Sequence, residues 1–429
     1  MNILARIFAI PELRRKIFFT VGIIALCRLF AQITVPGVDR LALENFAGGG
    51  ALGVLSVFTG GSLENFSIVL MGLGPYITAS IIVQLLTVVF PRLEAISKEG
   101  QEGRRKLNRI TRWATIPLGL LQGYGMILIL NQTAGGGLIK DTANFAEVFP
   151  LMLSIVAGTM LLVWLGDLIS EKGIGNGTSL IIFTNIVASV PIALWQNLSK
   201  TQFDSSAWLP FALMAAFTIA LTIAVILFTE GERRVPITYA ARGGGAQAQS
   251  FLPLRVNQAG MIPIIFAISM ITFPSVLASF FLDARTVWIR ALAEKLANPL
   301  AQTSWLFIAI YAALILAFTF FYVSITFKPE EVADSVAKRG GFVAGLRPGR
   351  QTADFLAETS LKLNLWGGIF LAIVAALPLI LQNVFTTMHL GSVTLLISGA
   401  GLIIIAGVVL DLMRQINAQL QMHDYEKMW

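Results

Sequence analysis

Residues 48–90 read GGGALGVLSVFTGGSLENFSIVLMGLGPYITASIIVQLLTVVF. Two apolar runs of unequal length share this stretch, parted by Thr59-Gly60-Gly61-Ser62. The first, Ala51 to Phe58, is about 8 residues long, and a helix needs about 20 to cross a bilayer. It cannot span. Flanked by glycines, it reads as a segment that dips part-way in and is sheltered by protein or lines a cavity, because lipid does not tolerate exposed irregular backbone. The second run, about Ser67 to Phe90, is long enough to span. Its middle, Gly74 to Gln84, alternates small and hydroxylic residues with branched apolar ones, a mixture that suits a helix facing a pore. A surface loop followed by an ordinary span fits the same letters.

Composition sets the class. Of 429 residues, 56% are hydrophobic and 13% charged, against roughly 25% charged in soluble domains. Mean hydropathy is +0.76, so the chain reads as a polytopic membrane protein. Its one cysteine, Cys27, lies inside the first span and permits no disulfide framework. His389 and His423 are far apart, and with a single cysteine they make no typical metal site. The segment after the basic residues 1–16 is long and lacks a small-residue cleavage site, so no cleavable signal is expected there.

Working outward, we read ten spans: about 17–35, 67–90, 110–130, 148–168, 178–196, 207–229, 257–282, 304–327, 363–384 and 393–413. Of the 31 Lys and Arg, 24 fall in the two tails and the even-numbered loops and 6 in the other loops, with Arg28 inside span 1. Basic loops stay inside, so both termini are expected to be cytoplasmic. Five spans per half is an odd number, so a second half built like the first inserts upside down, as in transport proteins made of inverted repeats. The halves are about 1–200 and 201–429. Two cytoplasmic loops, about 230–256 and 328–362, exceed what a connector needs. The first suggests a protruding hairpin. The second opens Lys328-Pro329-Glu330-Glu331, a fresh helix start. Such loops suit docking, though ordinary topogenic charge explains them equally.

Several chemistries are missing. No phosphate-binding glycine loop or zinc-protease motif occurs, and Gly173-Ile174-Gly175-Asn176-Gly177 has the wrong spacing for a dinucleotide turn. Asp167, Glu230 and Asp411 sit near cytoplasmic span ends, whereas ion-coupled transporters place ionisable groups deep in a span. Arg28 is the one charge well inside, close enough to an end to snorkel. The other mid-span polar groups are mostly neutral: Thr78, Ser80, Gln84, Gln122 and Asn185. Each of these serves equally well as interhelical glue.

Ordered motifs along nearly the whole chain then carry a resemblance. They include Ile10-Pro11-Glu12-Leu13-Arg14, Val35-Pro36-Gly37-Val38-Asp39, Phe58-Thr59-Gly60-Gly61-Ser62-Leu63 and Pro75-Tyr76-Ile77-Thr78-Ala79-Ser80. Glu99-Gly100-Gln101-Glu102-Gly103-Arg104, Leu252-Pro253-Leu254-Arg255-Val256-Asn257, Pro329-Glu330-Glu331-Val332-Ala333-Asp334 and Gly345-Leu346-Arg347-Pro348-Gly349 follow. In these the chain resembles the SecY family, pore subunits of the bacterial Sec protein-translocation channel. The resemblance implies an all-α membrane protein: ten transmembrane helices in two inverted five-helix halves around an hourglass pore, with a short re-entrant plug helix. The plug is expected over about 51–66, with Leu52, Val54, Leu55, Val57 and Phe58 as its apolar side chains. A pore ring is expected at Ile77, Ile81, Thr178, Ile182, Ile265 and Ile404; Thr178 departs from the aliphatic pattern. Spans 2 and 3 are expected to face spans 7 and 8 as a lateral gate carrying Gln84, Gln122 and Met261. Docking of the SecA motor or the ribosome is expected at Arg233, Arg234, Arg242 and Arg347, although the usual basic cluster is thinned to Ala241-Arg242-Gly243-Gly244-Gly245.

The implied activity is passage of unfolded secretory polypeptides across the cytoplasmic membrane and lateral release of transmembrane segments. The implied partners are the small membrane subunits SecE and SecG, SecA, the ribosome, signal peptides and nascent chains, and the lipid bilayer; no cofactor or metal is implied. Physics favours such a ring independently: a waist passing any side chain gates by dewetting instead of by specific hydrogen bonds, and branched side chains are stiff at χ1. The competing reading is an inverted-repeat transporter of a small solute. An intramembrane enzyme lacks candidate catalytic residues.

Overall fold

The computed structural model describes residues 10–35, 66–133, 145–203, 208–239, 249–281, 305–387 and 398–426, with parts of 286–293. In chain order these form α1 (Pro11–Phe30), α2 (Gly74–Val89), α3 (Pro91–Lys98), α4 (Gln101–Thr133), α5 (Phe145–Lys172), α6 (Gly177–Phe203) and α7 (Trp208–Glu230). Next come β1 (Glu232–Tyr239), β2 (Gln249–Arg255), α8 (Ile262–Ser279), α9 (Trp305–Thr326), α10 (Pro329–Lys338), β3 (Gly341–Val343), α11 (Arg350–Thr387) and α12 (Gly399–Glu426).

Leaving aside the short α3 and α10, the described helices fall one on each expected span. Six are long and apolar enough to cross a membrane, and the α2–α3 pair, bent by 103°, makes a seventh candidate. Within α6 and α8 the apolar stretches are shorter, Gly177–Pro191 and Ile262–Ala278. The remaining one, α1, begins among charges at Glu12, Arg14, Arg15 and Lys16. Large apolar side chains cover the outside: on α7, Ile219 is 62% exposed and Leu227 69%. An outer surface like that suits hydrocarbon, not water.

Span 2 departs from its expected bounds. The sequence places its start at about Ser67, but residues 66–73 form turns and the helix starts only at Gly74. Ser67 makes an antiparallel bridge with Thr34, and the Val35 N–H donates to the Phe66 carbonyl at 2.9 Å. Gly72 has φ +53°, a left-handed conformation that halts regular helix, and Pro75 fits the first helical turn beyond it. The turn is clamped from outside: a Cβ on Gly158 of α5 would lie 2.0 Å from the Ile68 carbonyl oxygen. At the other end Phe90 is extended before Pro91, and the chain turns sharply into α3.

Two large apolar cores divide the molecule. One joins α1, α5, α6 and the 66–73 turn through Ile23, Cys27, Val69, Leu165 and Ile186. The other joins α7, α8, α9, α11 and α12 through Val225, Ile264, Ile315, Leu371 and Ile403. A few side chains cross over. Ile404 and Val408 of α12 belong to the first core, Ile81 of α2 to the second, and Ile77 and Met261 pack against both.

Outside the span bundle, the two long loops fold together. The expected hairpin forms as β1 antiparallel to β2, with Val235 opposite Leu252. The helix predicted at Pro329 is α10. What the sequence reading lacked is β3, which pairs antiparallel with β1 and places the two loops in one sheet of order β2-β1-β3. Val235, Ile237, Leu254, Val336, Val343 and Leu356 make its buried core.

Candidate functional site: an apolar cavity where the two cores meet

Between the cores lies a cavity of ≈ 120 Å³. Four of the six expected ring residues line it, each from a different helix: Ile77 from α2, Ile182 from α6, Ile265 from α8 and Ile404 from α12. The other two do not. Ile81, one turn along α2, is buried in the second core. Thr178 lies in the first turn of α6, where its hydroxyl donates to Asn176 Oδ1 at 2.6 Å. That turn is built around the Asn176 cap, which also accepts from the Ser179 N–H, so Thr178 is engaged at the helix start.

The lining carries no charged side chain among the described residues. Its polar members are Thr78, Gln122, Asn185, Ser269 and Thr272. The walls are mostly apolar, which disfavours the entry of a hydrated ion. Isoleucines facing each other across so small a gap disfavour a continuous water column.

Ser269 and Thr272 escaped the sequence reading, as did the full α8 stripe. Ile265, Ile268, Ser269, Thr272 and Val276 line the cavity at positions i, i+3, i+4, i+7 and i+11, one helical face. That spacing was legible, but α8 is apolar on every side, so nothing marked this face as special. Asn185 was noticed as mid-span and polar, and it enters the cavity three residues after Ile182.

The three residues expected at a lateral seam occupy different roles. Buried Gln122 donates through Nε2 to Thr78 Oγ1 at 3.3 Å, joining α4 to α2. Gln84 Nε2 donates to Ser80 Oγ of its own helix at 3.1 Å. Met261 immediately precedes α8 and packs against both cores. Helix α8 lies against α2 and α4. Across that seam the rings of Tyr124 on α4 and Phe280 at the end of α8 meet with centroids 5.3 Å apart.

Arg28 differs from expectation. It does not merely reach toward a membrane surface; its guanidinium donates to the main-chain carbonyl of Thr184 on α6. A desolvated charge needs such a partner.

On the side of the molecule bearing the basic loops, Arg233 and Arg234 are exposed on β1, and Arg234 Nε donates to Glu232 Oε1 at 2.8 Å. Arg347 is exposed in a turn bounded by Gly345 (φ +85°) and Gly349 (φ +96°), and its carbonyl accepts from Thr352 Oγ1 at 2.9 Å. Arg112 of α4 pairs with Asp167 of α5 at 2.7 Å on this side. Arg242 and the expected plug residues Leu52, Val54, Leu55, Val57 and Phe58 lie outside the described residues.

Comparison with known proteins bears on this geometry. A family model described as SecY matches residues 67–413. The protein translocase subunit SecY of Streptomyces scabiei is 37% identical to this chain, with 98% of each covered. A solved structure described as a protein conducting channel superposes with a TM-score of 0.65 at 15% identity, covering 94% of this chain and 91% of that one. Sec61 from a canine ribosome–channel complex of the endoplasmic reticulum gives 0.60 at 16% identity, with the same coverage. At such identities the two structures speak to fold alone.

Proposed function

The chain belongs to the SecY family, and from that premise we infer that it is the pore subunit of a protein translocase, passing unfolded polypeptides through the cavity between its two cores. One observation carries the reading most directly. The cavity that brings four of the six expected ring positions together is neutral among the described residues and walled by branched apolar side chains from four helices. Such a constriction discriminates against hydrated ions and is indifferent to the sequence of a sliding chain. Ile77, Ile182, Ile265 and Ile404 are its ring, with Ile81 and Thr178 flanking it along their helices. The segment 51–66 is its plug. The α2 and α4 faces against α8 are its exit to lipid, with Gln84, Gln122 and Met261 along that seam.

The halves 1–200 and 201–429 move relative to each other to open it. The protein sits in a bacterial cytoplasmic membrane with both tails and the sheet unit in the cytoplasm. Exposed Arg233, Arg234 and Arg347, together with Arg242 of the 230–256 loop, meet SecA or the ribosome, and SecE and SecG cover part of the apolar exterior. The chain conducts and does no chemistry of its own; the motor supplies the energy.

A solute-transporter reading predicts the opposite behaviour in one reconstitution. Vesicles containing this chain with its small subunits, supplied with SecA, ATP and an unfolded secretory precursor, are expected to protect the precursor from added protease. Failure to protect it in preparations that still bind SecA would overturn the reading.

A further inference from the structure

Between β2 and α8 the chain runs through Val256, Asn257, Gln258, Ala259 and Gly260 hard against α11. A Cβ on Gly367 of α11 would lie 2.9 Å from the Val256 carbonyl oxygen. The turn itself is fixed: the Gly260 N–H donates to Asn257 Oδ1 at 2.9 Å, and Gly260 is left-handed at φ +64°. Inside the contact runs a short polar chain. Asn364 Nδ2 donates to Ser360 Oγ at 3.4 Å, and Ser360 Oγ donates to Gln258 Oε1 at 2.7 Å. Ser360 and Asn364 are 4% and 5% exposed.

This chain ends badly at both ends. Among the described residues, Gln258 Nε2 and Asn364 Oδ1 are buried without a partner. Turning both amides over reverses the direction of the chain but again leaves one donor and one acceptor over. Buried polar atoms are ordinarily paired, so the arrangement carries a cost. The two leftover atoms are complementary: an amide N–H and an amide oxygen. A displacement of the 256–260 turn along α11 that brings them together removes the deficit.

Where the chain sits gives that displacement a consequence. On one side α11 runs without interruption from the sheet unit, whose core includes its Leu356, into the span bundle. On the other, the turn leads directly into α8, which lines the cavity and closes the seam. We propose that Gln258, Ser360 and Asn364 are positioning residues for α8, a two-position polar contact that ties the gate helix to the loop sheet and α11 and holds the closed seam as the less satisfied of its two arrangements. The proposal rests on the channel reading above.

The test uses the full complex in membranes. Cysteines replace Tyr124 and Phe280 as reporters across the seam, joined by a short bismaleimide; native Cys27 is buried and stays. Replacing both amides by apolar groups, Gln258→Met with Asn364→Leu, removes the two leftover amide atoms of the closed arrangement, and the Ser360 hydroxyl turns to a main-chain carbonyl one turn back on its own helix. The double replacement is expected to raise reporter crosslinking and lower precursor export by about fivefold, the small end of coupling between linked sites. Ser360→Ala cuts the chain in the middle and releases Gln258 toward Asn364, so crosslinking is expected to fall. Unchanged crosslinking in both variants, or a shift in the same direction in both, overturns the proposal. So does a lowered thermal midpoint of the apolar pair, which would mark a network satisfied as it stands. Precursor protection by the unaltered complex is measured alongside, so failure of the channel reading is seen separately.

Discussion

Arg28 shows how a single residue reports its environment. A guanidinium inside an apolar span is expensive, and here it bonds the Thr184 carbonyl, beside Asn185 of the cavity wall. Arg28→Met keeps the packing and deletes the donor. Polar contacts between membrane helices contribute ~0.6 kcal/mol on average and at most ~1.7, so a loss of about 1 kcal/mol is expected, read as a thermal midpoint lowered by a few degrees. An unchanged midpoint would show that α1 and α6 are not tied there. The sequence singled out Arg28 because one charge among apolar residues is conspicuous. It could not supply the partner, because a main-chain carbonyl has no letter. Ile77, Ile182, Ile265 and Ile404 were reached only through family resemblance. An isoleucine facing a pore, a core or lipid is the same letter, and in a membrane all three surroundings are apolar.

Among the elements, legibility followed length and periodicity. The long spans announced themselves by apolar runs and by loop charge. The β1–β2 hairpin was readable from Val235-Pro236-Ile237-Thr238-Tyr239 followed by Gly243-Gly244-Gly245, and α10 from Pro329. The three residues of β3, Gly341-Phe342-Val343, are too few to show a period, and their pairing with β1 is a non-local event. Nor could apolarity separate the 66–73 turns from helix, since hydropathy reports the solvent and not the backbone; Gly72 and Pro75 were the local clues. The sheet unit has a core of its own, which makes a prediction. Ile237 is 3% exposed on β1 and packs in that core. Ile237→Ala is expected to destabilise the unit by roughly 2–5 kcal/mol. Limited proteolysis should then cut the β1–β2 loop and the α10–α11 connection faster, while the span helices stay protected. Equal cutting rates would show that the two loops are not one folded body.

The molecule as a whole is two apolar cores with a shared waist. Side chains that belong by sequence to one half pack into the core of the other, Ile81 in one direction and Ile404 in the other. That interlock consists of dispersion contacts between apolar side chains. The expectation of two halves rests on span counting. The crossing of side chains between halves was not legible, because it depends on how ten helices are arranged in space. The central claim is that a translocating chain goes through this waist. The direct measurement is photocrosslinking or disulfide capture from Ile77→Cys, Ile182→Cys, Ile265→Cys and Ile404→Cys to a secretory chain stalled midway, with Leu227→Cys on the outer face of α7 as the control. All four waist positions are expected to capture the chain and the control is not. Capture at the control with none at the waist would contradict the account.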